Sequence, residues 1–161
     1  MRLDDFSHLE CPLARALDAV GEWWSLLIVR DLFYGIRTFD ALRDDLGIAR
    51  NVLAKRLKKL EAKGVLEKRE YQPHPRRYSY GLTKKGKDLF PVILTLVEWA
   101  NRWEAPEGPI IEIEHASGGH AIHPELVCGE CKRAVDYKQV RLKAGPGAQR
   151  PEALPLPLRT K

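Results

Sequence analysis

The sequence predicts a mainly α-helical fold of the α+β class, with several short helices followed by one β-hairpin and a longer helix. Apolar residues recur at helical spacing through most of the first hundred positions. Two short runs rich in β-branched and aromatic residues flank a proline-containing turn at residues 72–77. Of the 161 residues, 44% are hydrophobic and 30% are charged, a balance typical of globular chains with one main core.

The first helical region extends over residues 12–31. Its apolar residues return every three or four positions, and Gly21 interrupts the pattern. We therefore expect two short helices in this region, with Gly35 ending it.

A short helix, a tight turn and a second helix are predicted next. Thr38 is suited to cap a helix over residues 39–46, which Gly47 closes. A second helix is expected over residues 49–63, and Gly64 ends it. Its predicted buried face consists of Leu53, Leu57 and Leu60.

A hairpin and a long helix follow. Strands are expected at residues 65–71 and 78–82, with a basic tip between them. Thr83 is a suitable cap for a helix over residues 84–103, whose apolar residues have heptad-like spacing. This order of elements is that of a winged helix-turn-helix with a C-terminal dimerisation helix, plus a small extension containing Cys-x-x-Cys.

The charge distribution indicates where a polyanion would bind. Residues 37–88 contain 15 Lys and Arg against 7 Asp and Glu, whereas the rest of the chain contains 12 against 15. Such a basic module is typical of proteins that contact the phosphate backbone of nucleic acids. The alternative is a basic surface that only interacts with solvent.

The second helix of the pair is the predicted DNA-recognition helix. Its leucines occupy one side, and its polar residues are expected on the other. Arg50 and Asn51 are candidates to contact bases, since each can form two hydrogen bonds to one base edge. The candidates for phosphate or groove contacts are Thr38, Lys55, Lys58, Lys59, Lys63, His74, Arg76 and Arg77. The alternative is an amphipathic helix whose lysines only keep a surface soluble.

Residues 11–103 resemble the HxlR-type regulators, winged-helix proteins related in architecture to the MarR group. The resemblance depends on an ordered set of residues that includes Cys11-Pro12, Trp24, Arg37-Thr38-Phe39, Arg56-Leu57, Gly64, Pro75, Leu82-Thr83, Gly86 and Trp99. It implies a homodimer that binds double-stranded DNA, with helix one and residues 84–103 forming the dimer interface. Ala49 departs from the family, which usually has a capping serine there.

The three cysteines are candidate sensor or metal residues. Cys11 precedes Pro12 at a predicted helix N-terminus, where the helix dipole favours a thiolate. Several members of the resembled family sense oxidants or electrophiles through a cysteine at this position, whereas an inert interface cysteine is the alternative. Cys128 and Cys131 provide half of a zinc site, with His115, His120 and His123 upstream. A metal site, a redox-active dithiol and a vestigial motif all remain open for this pair.

The sequence thus predicts three parts: a winged helix-turn-helix and dimerisation domain at 1–104, a Cys-x-x-Cys extension at 105–144, and a flexible Pro-rich tail at 145–161. We expect a cytoplasmic, non-enzymatic, homodimeric repressor that binds an inverted repeat, responds through Cys11, and requires no cofactor, although zinc is possible. No membrane segment or phosphate-binding glycine motif is evident. The alternative is a metal- or redox-dependent interaction protein that uses the Cys-x-x-Cys without sequence-specific DNA binding.

Overall fold

The computed structural model describes residues 6 and 8–155. These residues form two compact units, one running to Asp88 and resuming at Leu142, the other comprising Leu89–Arg141. The sequence placed the first boundary at residue 104, so the observed units divide the chain differently. None of the helices in the described part of the chain combines the length and apolar character needed to cross a bilayer.

Four helices begin the first unit, and all four agree with the predicted elements. They are α1 (Pro12–Val20), α2 (Ser25–Phe33), α3 (Phe39–Leu46) and α4 (Arg50–Ala62). The predicted leucines of α4 are buried, together with Ile28 and Val29 of α2 and Leu42 of α3. The helices therefore share one apolar core, which fixes α3 and α4 as a helix-turn-helix pair.

The ends of α3 and α4 differ in how they are capped. The Thr38 hydroxyl accepts a hydrogen bond from the Ala41 backbone N–H at 3.4 Å, as the sequence predicted for α3. Gly47 ends α3 with a positive φ of 61°, which glycine adopts without steric cost. At α4, Ala49 supplies no side-chain cap, and Asn51 Oδ1 instead accepts the Val52 N–H at 2.9 Å.

The antiparallel hairpin consists of β1 (Leu66–Pro73) and β2 (Arg76–Leu82). Its register pairs Leu66 with Leu82, and an irregularity lies between Glu70 and Gln72. At its base, Gly86 approaches the backbone closely, because a Cβ there would lie 2.1 Å from the Val65 carbonyl oxygen. Only glycine permits that contact, which fixes the base of the hairpin against the following turn.

The single helix predicted over residues 84–103 is wrong. The chain instead forms a short α5 (Lys84–Lys87) and a separate α6 (Phe90–Trp103). Pro91 lies in the first turn of α6, where its missing N–H costs nothing. Within one continuous helix, the same proline would have removed a hydrogen bond to Lys87 and broken the helix there.

The second unit consists of α6 and the segment that follows it. Asn101 Nδ2 donates to the Ile111 carbonyl oxygen at 2.8 Å, and Asn101 Oδ1 accepts the Ile110 N–H at 3.2 Å. Residues 110–114 have a strand-like composition in the sequence, but they form no strand, and the extension instead contains isolated bridges between Glu114 and Ala121 and between Val127 and Ala134. The backbone of residues 110 and 111 thus pairs with a side chain of α6, whereas residues 113 and 115 form backbone hydrogen bonds with residues 122 and 120.

Part of the predicted flexible tail is fixed in the first unit. The Glu10 carboxylate accepts the backbone N–H groups of Gln149 at 2.9 Å and Arg150 at 2.6 Å. The Glu10 N–H donates to the Ala153 carbonyl oxygen, and Leu154 is buried. These backbone donors hold the pKa of Glu10 below its ordinary value, because they favour the charged carboxylate. Residues 1–5 and 7 of the predicted first domain and 156–161 of the predicted tail lie outside the described residues.

Candidate nucleic-acid interface

The exposed side of α4 presents most of the residues that the sequence assigned to DNA. The side chains of Arg50, Asn51, Lys55 and Lys58 are all exposed. Neither Lys55 nor Lys58 has an ion-pair partner within the described part of the chain. Their ammonium groups are therefore available to phosphates, since no protein carboxylate neutralises them.

Arg50 is positioned by α3, although its side chain is 74% exposed. Its guanidinium lies 5.0 Å from the centre of the Phe39 ring, and its Nη1 is 3.9 Å from Asp40 Oδ1. A cation over an aromatic face loses freedom but keeps its edge donors available. Sequence reasoning did not identify Phe39 as a contact that positions Arg50.

The predicted place of Lys59 on the DNA-facing side is wrong. Its Nζ lies 2.7 Å from Glu22 Oε1 and 3.9 Å from Asp18 Oδ1, so it faces α1. Lys63 likewise lies 2.5 Å from Asp18 Oδ2, and the Arg56 guanidinium contacts Glu22. Asp18 in α1 and Glu22 just after this helix bind the cations of α4 and neutralise them. Asp18 and Glu22 have the same four-residue spacing as Lys59 and Lys63, but this match becomes informative only once the packing of α1 against α4 is known.

The hairpin carries the other predicted contacts. His74, Arg76 and Arg77 are all exposed at or beside its tip. Thr38, also predicted, is half-buried, and its hydroxyl is engaged in capping α3. We call the exposed residues Arg50, Asn51, Lys55, Lys58, His74, Arg76 and Arg77 the α4–wing surface. It combines a helix that fits a major groove about 12 Å wide with a basic hairpin on the same unit.

Cys11 occupies the expected position at the N-terminus of α1. It is the N-cap residue, Pro12 begins the helix, and the thiol side chain is half-buried. Its carbonyl oxygen accepts the Arg15 N–H at 3.1 Å. The residue is thus partly accessible and adjoins the Glu10 carboxylate that holds the C-terminal segment.

The four predicted metal ligands do not converge on one point. Cys128 and Cys131 adjoin each other, and the backbone N–H groups of Cys131 and Glu130, with the Cys131 thiol, lower the pKa of Cys128. The His115 and His120 rings stack on one another with centroids 5.5 Å apart. Among residues 6 and 8–155, no three His, Cys, Asp or Glu side chains form a group suited to a metal ion. Zinc binding by Cys128 and Cys131 stays a prediction from the sequence.

Comparison with known proteins identifies the family. The model of the HxlR-like helix-turn-helix family matches residues 19–108, which is more than half of the chain. The chain belongs to the HxlR-like helix-turn-helix family. This family comprises DNA-binding transcriptional regulators and not enzymes. The alternative of an interaction protein without DNA binding is therefore disfavoured.

Similar proteins support the assignment over nearly the whole HxlR-like chain. The uncharacterised HTH-type transcriptional regulator Rv3095 of Mycobacterium tuberculosis is 38% identical over 150 residues, covering 91% of this chain and 95% of its own. The structure of PA1374 from Pseudomonas aeruginosa, a proposed transcription factor, has 38% identity, a TM-score of 0.63, and covers 89% of this chain and 98% of its own. The redox regulator HypR in its oxidised form has 29% identity and a TM-score of 0.53, over 57% of this chain and 95% of its own.

Proposed function

We propose that this regulator is a homodimeric repressor that binds an inverted repeat through the α4–wing surfaces of its two chains. The observation that carries the proposal is the exposed pair Lys55 and Lys58 on α4, which form no ion pair within the described residues and lie opposite a buried leucine face. In this arrangement Arg50 and Asn51 contact base edges, whereas Lys55, Lys58 and the wing cations contact phosphates. Asn51 Oδ1 accepts the Val52 N–H, and the side-chain NH₂ of Asn51 remains free to donate to a base edge.

The dimer is supported by an apolar surface on α6. No residue of this helix is buried, and one side carries Val92, Leu96, Trp99 and Trp103, each about half exposed or more. The opposite side holds Asn101, which binds the following segment. Leu13 and Leu17 of α1 are exposed as well. An apolar surface of this kind is usually covered by a partner, and the partner here is a second copy of the chain.

A response to oxidants or electrophiles through Cys11 is the second part of the proposal. Cys11 is partly accessible at the N-terminus of α1, so a small oxidant or electrophile can reach its thiol. The similarity to the redox regulator HypR covers the helical and winged region of the chain and supports the same type of signal here. Cys11 adjoins Glu10, whose carboxylate binds the backbone of Gln149 and Arg150. Modification of Cys11 can therefore displace the C-terminal segment.

Occupancy of chromosomal DNA tests the repressor assignment. We expect the protein to occupy a small number of promoters that contain an inverted repeat, with half-site centres roughly one helical turn apart. Transcripts from those promoters should rise when the protein is removed, because a bound repressor blocks initiation. Chromatin immunoprecipitation combined with RNA sequencing measures both quantities. Transcripts that fall on removal would contradict repression while leaving DNA binding intact.

The variant Cys11→Ser tests the sensor. Treatment with diamide, which oxidises thiols, should lower the operator affinity of the wild-type protein at least about tenfold, a change of about 1.4 kcal/mol in binding free energy, and the occupancy should fall with it. Cys11→Ser should retain occupancy under the same treatment, since its hydroxyl does not form disulfides. The double variant Cys128→Ser/Cys131→Ser is the matched control and should respond like wild type. A response that survives in Cys11→Ser and disappears in the control would assign sensing to the other pair.

A further inference from the structure

A cleft of ≈ 410 Å³ lies within the first unit, between the end of α2 and the hairpin. Its volume falls in the range of small-molecule sites, about 300–1,000 Å³. Three cations line it, Arg37, Arg69 and Lys87, with a single carboxylate, Glu67. Leu32 and Phe33 from α2 add an apolar wall.

The cleft carries an excess of positive charge. Arg69 contacts Glu67 directly, so these two charges offset one another. Within the described residues, neither Arg37 nor Lys87 forms an ion pair. Two cations that share a cleft repel each other, and an anion between them would remove this repulsion.

The shape of the cleft depends on a glycine of β2. Gly81 lies opposite Glu67 in the hairpin register, and both residues line the cleft. A Cβ at Gly81 would meet only Glu67 Oε1, at 3.9 Å, and the residue does not have a positive φ. A side chain can therefore be introduced there without a backbone clash, and a large one would fill the cleft.

We propose that this cleft binds a small organic acid, with its carboxylate between Arg37 and Lys87 and its apolar body against Leu32 and Phe33. The two unpaired cations select a negative group, and the apolar wall favours a ring or alkyl body over a bare inorganic anion. A DNA phosphate would satisfy the cations but would leave the apolar wall exposed.

The position of the cleft links such a ligand to DNA binding. The Arg37 carbonyl oxygen accepts the Tyr80 N–H at 2.8 Å, and Thr38 forms a backbone bridge with Ser79. Thr38 also caps α3, the first helix of the helix-turn-helix. An acid in the cleft therefore contacts the junction of the wing and α3, and changes the DNA affinity of the α4–wing surface. This coupling, unlike the binding itself, rests on the proposed function.

Calorimetric titration of the full chain with benzoate, without DNA, tests the site. We expect one benzoate per chain, at least about tenfold weaker binding in Arg37→Gln and in Lys87→Gln, and no binding in Gly81→Leu. The wing-tip variant Arg77→Gln is the charge-matched control and should bind like wild type. Circular dichroism establishes that each variant is folded. Absence of benzoate binding, or equal binding in Gly81→Leu, would overturn the proposal.

Two further measurements separate the alternatives. Inorganic phosphate should compete at least about tenfold more weakly than benzoate, because it cannot contact the apolar wall. Equal competition would make the cleft a general anion site and overturn the assignment to organic acids.

Fluorescence anisotropy with operator DNA should show that benzoate changes the DNA affinity of the wild-type protein but not that of Gly81→Leu. An unchanged affinity would overturn the coupling, whereas failure of the protein to bind any DNA would overturn the proposed function and leave the calorimetric result standing.

Discussion

Replacing Arg50, Lys55 and Arg76 by alanine should lower the affinity for operator DNA at least about a hundredfold. Loss of a base-contacting arginine costs about 1–3 kcal/mol, and the loss of two phosphate contacts adds to it. The slope of log affinity against log salt should also become shallower by about 1.8 per chain, or about 3.6 for the dimer, since each of the two phosphate contacts contributes about 0.9. Fluorescence anisotropy across a salt series measures both quantities.

This effect is expected because all three side chains are exposed and none supports the fold. Arg50 is held only by the Phe39 ring and a distant Asp40, and Lys55 and Arg76 contact no acidic side chain within residues 6 and 8–155. Their removal should therefore leave the melting temperature nearly unchanged. Loss of DNA binding would then result from the missing DNA contacts and not from unfolding of the first unit.

Two controls sharpen this prediction. Alanine at Arg133, Arg141 and Lys143 removes the same charge from exposed positions remote in sequence from α4 and the wing, and should change affinity less than about threefold. Lys59 lies on α4 itself, but its ammonium group is bound to Glu22. The variant Lys59→Ala should therefore leave the salt slope unchanged. A Lys59→Ala slope that falls as much as that of Lys55→Ala would contradict the structural assignment of the two lysines.

The double variant Leu96→Glu/Trp99→Glu should convert the protein from dimer to monomer. Both side chains lie on the uncovered apolar side of α6, with Leu96 48% and Trp99 52% exposed. Burying two carboxylates in an apolar interface costs several kcal/mol, because neither would find a partner there. Sedimentation equilibrium measures the oligomeric state directly.

Operator affinity should fall with the loss of the dimer. A monomer contacts a single half-site and loses the effective concentration that links the two, worth about 10²–10⁴ in affinity. A single half-site duplex should bind the variant and the wild type with similar affinity, since the α4–wing surface is unchanged. That comparison distinguishes loss of the dimer from damage to the DNA-binding surface.

The matched control places the same charges on other exposed apolar residues of the second unit. Ile110 is 80% exposed and Leu126 is 71% exposed, so Ile110→Glu/Leu126→Glu makes an equivalent chemical change outside α6. The control should remain dimeric and bind DNA like wild type. A control that becomes monomeric, or an α6 variant that stays dimeric, would contradict the assignment of the interface to α6.

The local elements of the first unit could be predicted from the sequence. Helical spacing of apolar residues, the Thr38 cap and the two glycines that end α3 and α4 act within a few residues, so they are visible without coordinates. Pro91 marks the break before α6 in the sequence as well, although the heptad-like spacing continues across it. The backbone restriction of proline prevailed over that spacing.

The candidate DNA interface was predicted in part. Helical geometry placed Arg50, Asn51, Lys55 and Lys58 on an exposed side, and the structure agrees. The prediction for Lys59 was wrong, because the side of α4 that faces acidic residues depends on how α1 packs against α4. No periodicity within α4 contains that information.

The sequence by itself determined the order of helices and hairpin, the basic module and the position of Cys11 at a helix end, because these features follow from local spacing and composition. Only the tertiary structure decided which cations remain free, whether the cysteine and histidine side chains meet, and how Glu10 holds Gln149 and Arg150. It also decided the cleft between α2 and the hairpin. Each of these depends on groups far apart in the chain whose distance is set by packing, and packing is a property of the whole fold.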